Sequence, residues 1–452
     1  MHGLRAPGPE FADESTPVAV VGLGKIGLPL AIHFVRRGRK VWGVDSNVNV
    51  VRGINARRCH VEGEPELESE VVHAVARGRL EATTDTAAAV GMAGVVVVVV
   101  PVIVDDEHEI DFRSLDAATL AIARGLAPGK LVVYETTLPV GTTAGRLRGQ
   151  LEEVARLKAG RDFYLAFSPE RVSSGRIFQD LASYSKVVGG VDEASAIAAR
   201  AFYASVLDVE VITMASAGDA EFVKLIETTY RDVNVALANE YARYADRHGL
   251  DVAAAIQAAN SQPFSHIHSP GLGVGGHCIP VYPYFLLKDS EADLGLPSRA
   301  RVVNDGMAAY AADRLEDVIG PLAGRSVLIL GAAYRGGVRE HAFSSARLLQ
   351  AALAARGAEV LVHDPLFSDE ELRGFGYSPF QSADAGRVSA VVVQADHSDY
   401  RELDFAQFTR CTAVLDGRRA LSRQAVEGLG MRYLFIGDGR RESRNGAVPV
   451  EA

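Results

Sequence analysis

Strand-length apolar runs alternate with longer amphipathic segments along most of the chain. Pro17–Val21, Lys40–Val44, Val95–Val100, Lys130–Tyr134, Leu165–Phe167, Lys186–Val188 and Val209–Ile212 are of strand length, and segments such as Leu115–Leu126 between them carry helical spacing. The six consecutive valines at 95–100 show no polar alternation, which marks a strand buried on both faces in a parallel sheet. The pattern changes at Asp219–His248, which lacks Gly and Pro and reads as one long helix, and a second helix is expected over Ala300–Leu315. It then returns. Arg325–Leu330, Glu359–His363, Val388–Val393, Ala413–Leu415 and Leu434–Ile436 read as strands around a helix at 344–356. The predicted fold class is α/β, two Rossmann-like, doubly wound domains joined by a long central helix and a helical middle region. The boundaries expected are a disordered tail over 1–16, a first Rossmann domain over 17–214, a central helical domain over 215–320, a second Rossmann-like domain over 321–439 and a tail over 440–452.

Composition narrows the partners. At 452 residues, 48% hydrophobic and 23% charged, the chain has ordinary globular proportions. A net charge of −10 argues against a nucleic-acid binder. Cys59, Cys278 and Cys411 are too widely spaced for a disulfide framework or a metal site, so no metal is expected and a reducing cytoplasm is the default location. The run Gly94–Pro101 is too short to span a bilayer, residues 1–16 carry no signal-peptide core, and no membrane association is expected.

Two stretches carry the chemistry. The first predicted strand runs into GLGKIG, whose Gly22, Gly24 and Gly27 are followed by a helix, a strand and then Asp45. Strand, glycines, helix, strand and acid in that order form a dinucleotide fingerprint. Gly22 permits the tight turn, Gly24 a close approach to the pyrophosphate, and Gly27 close helix packing. Asp45 would hydrogen-bond the ribose hydroxyls and repel a 2′-phosphate, which favours NAD over NADP. In the second stretch, PGLGVGGHCIPVYPYF (270–285), Gly271, Gly273, Gly275 and Gly276 crowd one side of Cys278, and Pro280 and Pro283 follow it. Such a composition predicts a rigid irregular loop beside one thiol, either a nucleophile or an incidental cysteine in a surface turn. Polar residues in loops after the early strands, Thr136, Thr137, Ser168, Glu170 and Arg171, fall where doubly wound sheets bind ligands. Lys224, Thr228 and Arg231 share one face of the long helix, a solvated stripe or a face turned to a ligand. In the last domain the glycine fingerprint is worn to Gly331-Ala332-Ala333, and Arg335 and Arg339 follow at a place suited to phosphate.

Taken together, VGLGKIGLPLA, ETTLPVGTT, SPERV, KLIETTYRDVNVALANE and GVGGHCIPV resemble the UDP-glucose/GDP-mannose dehydrogenase family, from about Pro17 to Gly439 and in the family's order. Their wording is nearest the branch acting on UDP-N-acetylhexosamines. The resemblance implies an NAD-dependent oxidoreductase and a homodimer held by the long helix. It implies a four-electron oxidation of a nucleotide sugar at C6 to the uronic acid. It makes Cys278 the nucleophile that carries a thiohemiacetal and then a thioester, with Lys224 steadying the oxyanion and Glu170 and Thr137 activating water. Gly22, Gly24, Ile26, Gly27, Asp45, Pro101 and Thr137 would line the NAD site. Glu170, Arg171, Lys224, Thr228, Arg231, Gly271, Gly275 and Arg335 would hold the substrate.

Several positions depart from the family. Tyr282 replaces an aspartate four residues after the cysteine, and Tyr is no carboxylate base near neutral pH. Thr228 stands where Asn is usual, Phe264 where Arg follows the proline, and the loop after Arg335 is about three residues short. These differences suggest a specialised substrate with a differently based nucleotide, TDP rather than UDP, in a secondary-metabolite pathway; the substrates the resemblance leaves open are UDP- or TDP-glucose and a UDP-N-acetylhexosamine, in polysaccharide or secondary metabolism. Two competing readings are a two-electron oxidation that stops at the aldehyde and a catalytically silent protein that binds NAD and nucleotide sugar. Retention of Cys278, Lys224 and Glu170 together argues against the silent reading.

Overall fold

The apolar runs form the strands of two separate sheets. The computed structural model describes residues 8–105, 107–288 and 293–439, so the expected tail at 440–452 lies outside the described residues. In the first part of the chain the strands are β1 (Val18–Val21), β2 (Val41–Val44), β3 (Leu80–Thr83), β4 (Val95–Val98), β5 (Ile103–Val104), β6 (Ile110–Asp111), β7 (Leu131–Tyr134), β8 (Tyr164–Phe167), β9 (Lys186–Gly190) and β10 (Val211–Thr213). Eight of them form a sheet in the order β3-β2-β1-β4-β7-β8-β9-β10, parallel except for β8 against β9. β5 and β6 pair only with each other. Every residue of β1, β4, β7 and β8 is buried; of the valine run expected as one strand, Val95–Val98 form β4, and Val99 and Val100 lie beyond it, half-buried. The order reverses between β1 and β4, which is where doubly wound sheets open a crevice at the carboxyl ends of their strands.

The second sheet contains β11 (Ser326–Leu330), β12 (Glu359–His363), β13 (Val388–Val393), β14 (Ala413–Asp416) and β15 (Arg432–Leu434). Its order is β12-β11-β13-β14-β15, all parallel, a Rossmann-like doubly wound sheet with its own reversal between β11 and β13. The long helix runs Ala217–His248, and a second long helix runs Gly295–Ile319.

The chain packs as two compact units. One takes in the chain up to Glu227 and the short stretch from Tyr284; the other takes in Thr228–Pro283 and the remainder. The boundary thus falls inside the long helix. The segment 215–320, read from the sequence as a central domain, has little core of its own. Many of its buried residues join those of the second sheet, so that Ala238, Ala242, Leu272, Met307 and Leu315 share a core with Val327, Ile329 and Val392, while Ala236, Ala300 and Val303 form a small cluster. Helical periodicity shows that a face is apolar but not what covers it.

Of the tail expected over 1–16, residues 1–7 lie outside the described residues, and the part from residue 8 is corrected by the structure. Pro9–Ala12 is helical, and Phe11 is buried edge-on against Tyr164 at 5.3 Å. The fully buried Arg39 binds this segment, donating to the carbonyl oxygens of Phe11 (2.9 Å), Thr16 (3.2 Å) and Asp13, and to Ser205 Oγ (2.7 Å). Deleting residues 1–16 should therefore lower the urea midpoint of the protein relative to deletion of 1–7 alone. The loss is about 3 kcal/mol, the size of removing one buried aromatic, with further cost from the carbonyls taken from Arg39. An unchanged midpoint would return the segment to the status of a tail.

Candidate functional site

The glycine turn after β1 is shaped by what a Cβ would strike. Gly22 has φ +96°, in the left-handed region, and a Cβ there would lie 2.7 Å from Val99 O at the end of the neighbouring strand. A Cβ on Gly27 would lie 1.8 Å from Gly22 O, so the following helix, Gly27–Arg36, starts tight against the turn. Gly24 is the opposite case, because a Cβ there meets nothing within 4 Å. The turn is thus closed at its first and third glycines and open at the second, which fits a pyrophosphate lying over the middle of it. Asp45, just past β2, accepts from Leu23 N (3.0 Å) and Asn47 N (2.8 Å), and His60 Nε2 lies 2.9 Å from Leu23 O. Ile26 is half-buried against the first core, and Pro101 is exposed just beyond β4.

Loops at the ends of β7 and β8 bring a second group together. Thr137 is buried, and Thr136 Oγ1 donates to Val100 O at 2.6 Å. The turn beyond them is fastened to the long helix by Glu221, whose carboxylate accepts from Gly141 N (2.6 Å) and Thr143 N (2.8 Å). Lys224, also buried, lies one turn further along that helix. Glu170 Oε1 accepts from Arg171 N (2.6 Å) and Val172 N (3.0 Å), and Oε2 pairs with Lys186 Nζ at 3.1 Å. Burial works against its charge, but the ammonium of Lys186 and these hydrogen bonds outweigh it and hold the carboxyl below its ordinary range. Lys186 also pairs with Glu135 Oε2 at 2.9 Å. Arg171 donates to Ser185 O at 3.1 Å and is ion-paired with Glu227.

In the second unit, the cysteine loop is built against the chain that follows β11. A Cβ on Gly273 would lie 2.8 Å from Ser345 Cβ, and one on Gly275 would lie 2.7 Å from Tyr334 Cβ and 2.9 Å from Phe343 O. Only glycine allows the loop this close. Gly276 N donates to Ala342 O at 3.2 Å. At the loop's start, Gly271 N donates to Asn239 Oδ1 at 2.9 Å, Asn239 to Asn304 Oδ1 at 2.9 Å, and Asn304 to Asp232 Oδ1 at 2.8 Å. This buried chain ties the loop to both long helices. Cys278 is half-buried and begins a turn in which its carbonyl accepts from Tyr282 N at 2.9 Å. His277 turns to Glu340 (3.2 Å), in keeping with its not being a base for the thiol. Burial pushes the Cys411 thiol up to about 11 and raises that of Cys59 as well, so both are held as thiols.

Thr228 is buried on the long helix and Arg231 is exposed one turn on. Arg335 is half-buried with its guanidinium 5.6 Å over the Tyr334 ring, whereas Arg339 is committed to Leu366 O (3.0 Å) and Glu371. The worn glycine turn is closed by Asp364, whose Oδ2 accepts from both Ala332 N and Ala333 N at 2.8 Å. His397 Nε2 lies 3.2 Å from the same oxygen. Burial opposes the charge of Asp364, but these bonds hold its carboxyl below the usual range.

The sequence pointed to Gly22, Gly24 and Gly27, which the structure sets in one turn with Asp45 bonded to it from the end of β2, and to Glu170 with Arg171, which it places in one loop. It also identified Gly271, Gly275 and Cys278, which lie on one loop packed against the Tyr334–Arg335 segment. It did not single out Glu135, Lys186, Tyr203 or Asn239. One signal for Glu135 and Lys186 was available, since each is a charged residue bordering an otherwise apolar strand. Among the described residues no cluster of three or more His, Cys, Asp or Glu could hold a metal, and no helix is long and apolar enough to cross a membrane.

Residues 16–207 match the NAD binding domain of the UDP-glucose/GDP-mannose dehydrogenase family, 218–305 its central domain and 328–423 its UDP binding domain. The chain is 34% identical to a UDP-N-acetyl-D-mannosamine dehydrogenase of Pyrococcus horikoshii over 94% of this chain and 99% of that one. It is 33% identical to an NDP-N-acetyl-D-galactosaminuronic acid dehydrogenase of Ralstonia nicotianae over 90% and 97%. Among solved structures, the UDP-D-ManNAc dehydrogenase of Pyrococcus horikoshii superposes with a TM-score of 0.85 at 33% identity, covering 94% of this chain and 99% of that one. A UDP-glucose dehydrogenase of Pyrobaculum islandicum gives 0.83 at 27% identity, covering 94% and 98%.

Proposed function

Because this chain belongs to the UDP-glucose/GDP-mannose dehydrogenase family and is an NAD-dependent nucleotide-sugar dehydrogenase, we propose that it oxidises the C6 alcohol of a nucleoside-diphosphate hexose to the uronic acid through Cys278. The observation that carries this reading is the glycine loop. Gly273 and Gly275 are pressed onto the chain after β11 and Gly271 is pinned by Asn239, which leaves the thiol on a rigid turn. NAD, when bound, accepts the hydride of each oxidation. Cys278 Sγ adds to the aldehyde carbon, and loss of a second hydride from that thiohemiacetal leaves a thioester. Lys224 balances the alkoxide and then the oxyanion. Glu170 and Thr137 hold the water that hydrolyses the thioester and frees the thiol. Arg171, Thr228, Arg231, Arg335 and the backbone from Gly271 to Gly275 would bind sugar and diphosphate.

The names of the relatives favour a UDP-N-acetylhexosamine over glucose. A panel of UDP-, TDP- and GDP-sugars, with NADH counted per sugar and the product identified by mass, tests both substrate and depth of oxidation. Two NADH per uronate supports the four-electron course. One NADH and an aldehyde would show that Tyr282, in place of an acid, halts the reaction midway.

A homodimer is part of the same proposal. Phe222, Ile226, Tyr230, Leu237, Tyr241 and Tyr244 are all exposed and recur at helical spacing along one stripe of the long helix. A continuous apolar stripe of this kind marks an association surface, and a second copy of the same helix fits it. Ile226→Asp combined with Tyr230→Asp should weaken self-association on the order of 100-fold, because charges are buried without partners. Light scattering after gel filtration should then show a monomer; an unchanged mass would assign the stripe to something else.

A further inference from the structure

The buried charges behind Glu170 have no part in the scheme above. Glu135 stands at the end of β7, two residues before Thr137. Its Oε2 is 2.9 Å from Lys186 Nζ, the ammonium that lies 3.1 Å from Glu170 Oε2, and Tyr203 OH donates to its Oε1. The side chains of Glu135 and Lys186 are 0% and 6% exposed and that of Glu170 is 12% exposed. Two carboxylates therefore share one ammonium in a place nearly closed to water.

Among the described residues, Lys186 is the cation paired with both carboxylates, and the other groups packed around them do not supply a second. Arg171 is committed to Glu227 and Ser185 O. His33, on the helix Gly27–Arg36, is kept neutral by burial, with its Nε2 at 2.7 Å from Val206 O. Tyr203, on the helix Glu193–Val206, is neutral, its phenol pushed up by burial and by Glu135. An uncompensated buried charge is costly. The remedy within reach is a proton held between the two carboxyl groups, as in other close acid pairs. Burial favours the protonated form of Glu135, whereas Glu170 is held ionised. The group that gives up its proton as pH rises is therefore Glu135.

We propose that Glu135 is a positioning residue that shares one proton with Glu170 across Lys186, so that the pair accepts the proton of the attacking water as a unit. The inference rests on the reading of Glu170 as the group that activates water. In the hydrolytic step the water oxygen adds to the thioester carbon and its proton passes to the pair. The carbon–sulfur bond breaks, the Cys278 thiolate leaves and takes the proton of the new acid, and the pair then releases its own proton to solvent. Glu170, the more exposed member of the pair at 12%, borders a small recess together with Lys186 and Arg171. The pair must enter the step without its shared proton, so hydrolysis slows on the acid side of the pair's titration.

Single-turnover release of uronate from the Cys278 adduct, followed against pH in the full-length enzyme, tests this. In Glu135→Gln the second carboxylate is gone and Glu170 alone sets the acid limb. The limb should move down by about one pH unit or more, and the plateau should fall about tenfold because the base is weaker. NAD affinity should stay within about twofold of the parent, which also reports folding. Tyr203→Phe removes the hydrogen bond that favours ionised Glu135 and should move the limb the other way, upward; it decides the matter if Glu135→Gln does not fold. An acid limb unmoved in a folded variant overturns the sharing, since a purely structural role lowers stability without displacing the limb. Glu170→Gln separates the two layers. It should stall with the adduct intact by mass; parental uronate release from it would refute the role of Glu170 itself.

Discussion

Cys278→Ser is expected to cut uronate formation on the order of 10³-fold while NAD affinity stays within about twofold of the parent. A serine hydroxyl is far less nucleophilic than a thiolate near neutral pH, and no general base has been placed beside this position, since His277 is turned to Glu340. The loop should survive the exchange, because its shape comes from Gly271, Gly273 and Gly275 and not from the sulfur. The first oxidation does not need the thiol, so the variant should still make a burst of NADH equal to one hydride per sugar. Mass spectrometry of the parent should show a sugar-nucleotide adduct on Cys278 that the variant lacks. Undiminished uronate from Cys278→Ser would remove the covalent step from the scheme.

The glycine turn gives the second large effect, and its two halves can be told apart. Gly27→Ala puts a Cβ 1.8 Å from Gly22 O, and Gly22, already at φ +96° and against Val99 O, has nowhere to retreat. The turn must open, with about 2–3 kcal/mol lost from stability and NAD affinity reduced on the order of 100-fold. Gly24→Ala meets no protein atom within 4 Å, so the melting temperature should hold. Its methyl group stands where the pyrophosphate must approach, and NAD binding should weaken by about as much. Calorimetric titration beside thermal melting distinguishes the pair. If Gly24→Ala binds NAD normally, the pyrophosphate does not cross this turn.

Much of the architecture could be read in the sequence because buried parallel strands are written as unbroken apolar runs, and the valines of β4 are the plainest case. β3 (LEAT) was not anticipated. It carries Glu81 and an exposed outer edge, so its composition does not separate it from a loop. Phe11 was also lost, since one aromatic in a polar stretch gives no periodicity, and its burial depends on Arg39 far along the chain. The glycines of both candidate loops were legible because glycine is demanded by local backbone geometry and close approach. The Glu135–Lys186–Tyr203 cluster was not, because it is assembled from β7, β9 and a helix by the sheet itself. The central segment was legible as helical, because a helix shows in sequence which face it buries; that part of this face shares a core with the second sheet was not, because the partner of a face is a property of the fold.

The turn that opens the second sheet bears on how much cofactor a molecule can take. At the first turn Asp45 binds the amide of Leu23, and the glycine after it is unobstructed. At the second, Asp364 binds the amides of Ala332 and Ala333 together, and the position matching Gly24 carries a methyl group. An aspartate has become, in effect, the permanent anion of that turn. Titration of the enzyme with NAD should accordingly saturate at one equivalent per polypeptide, whatever the resemblance between its two halves.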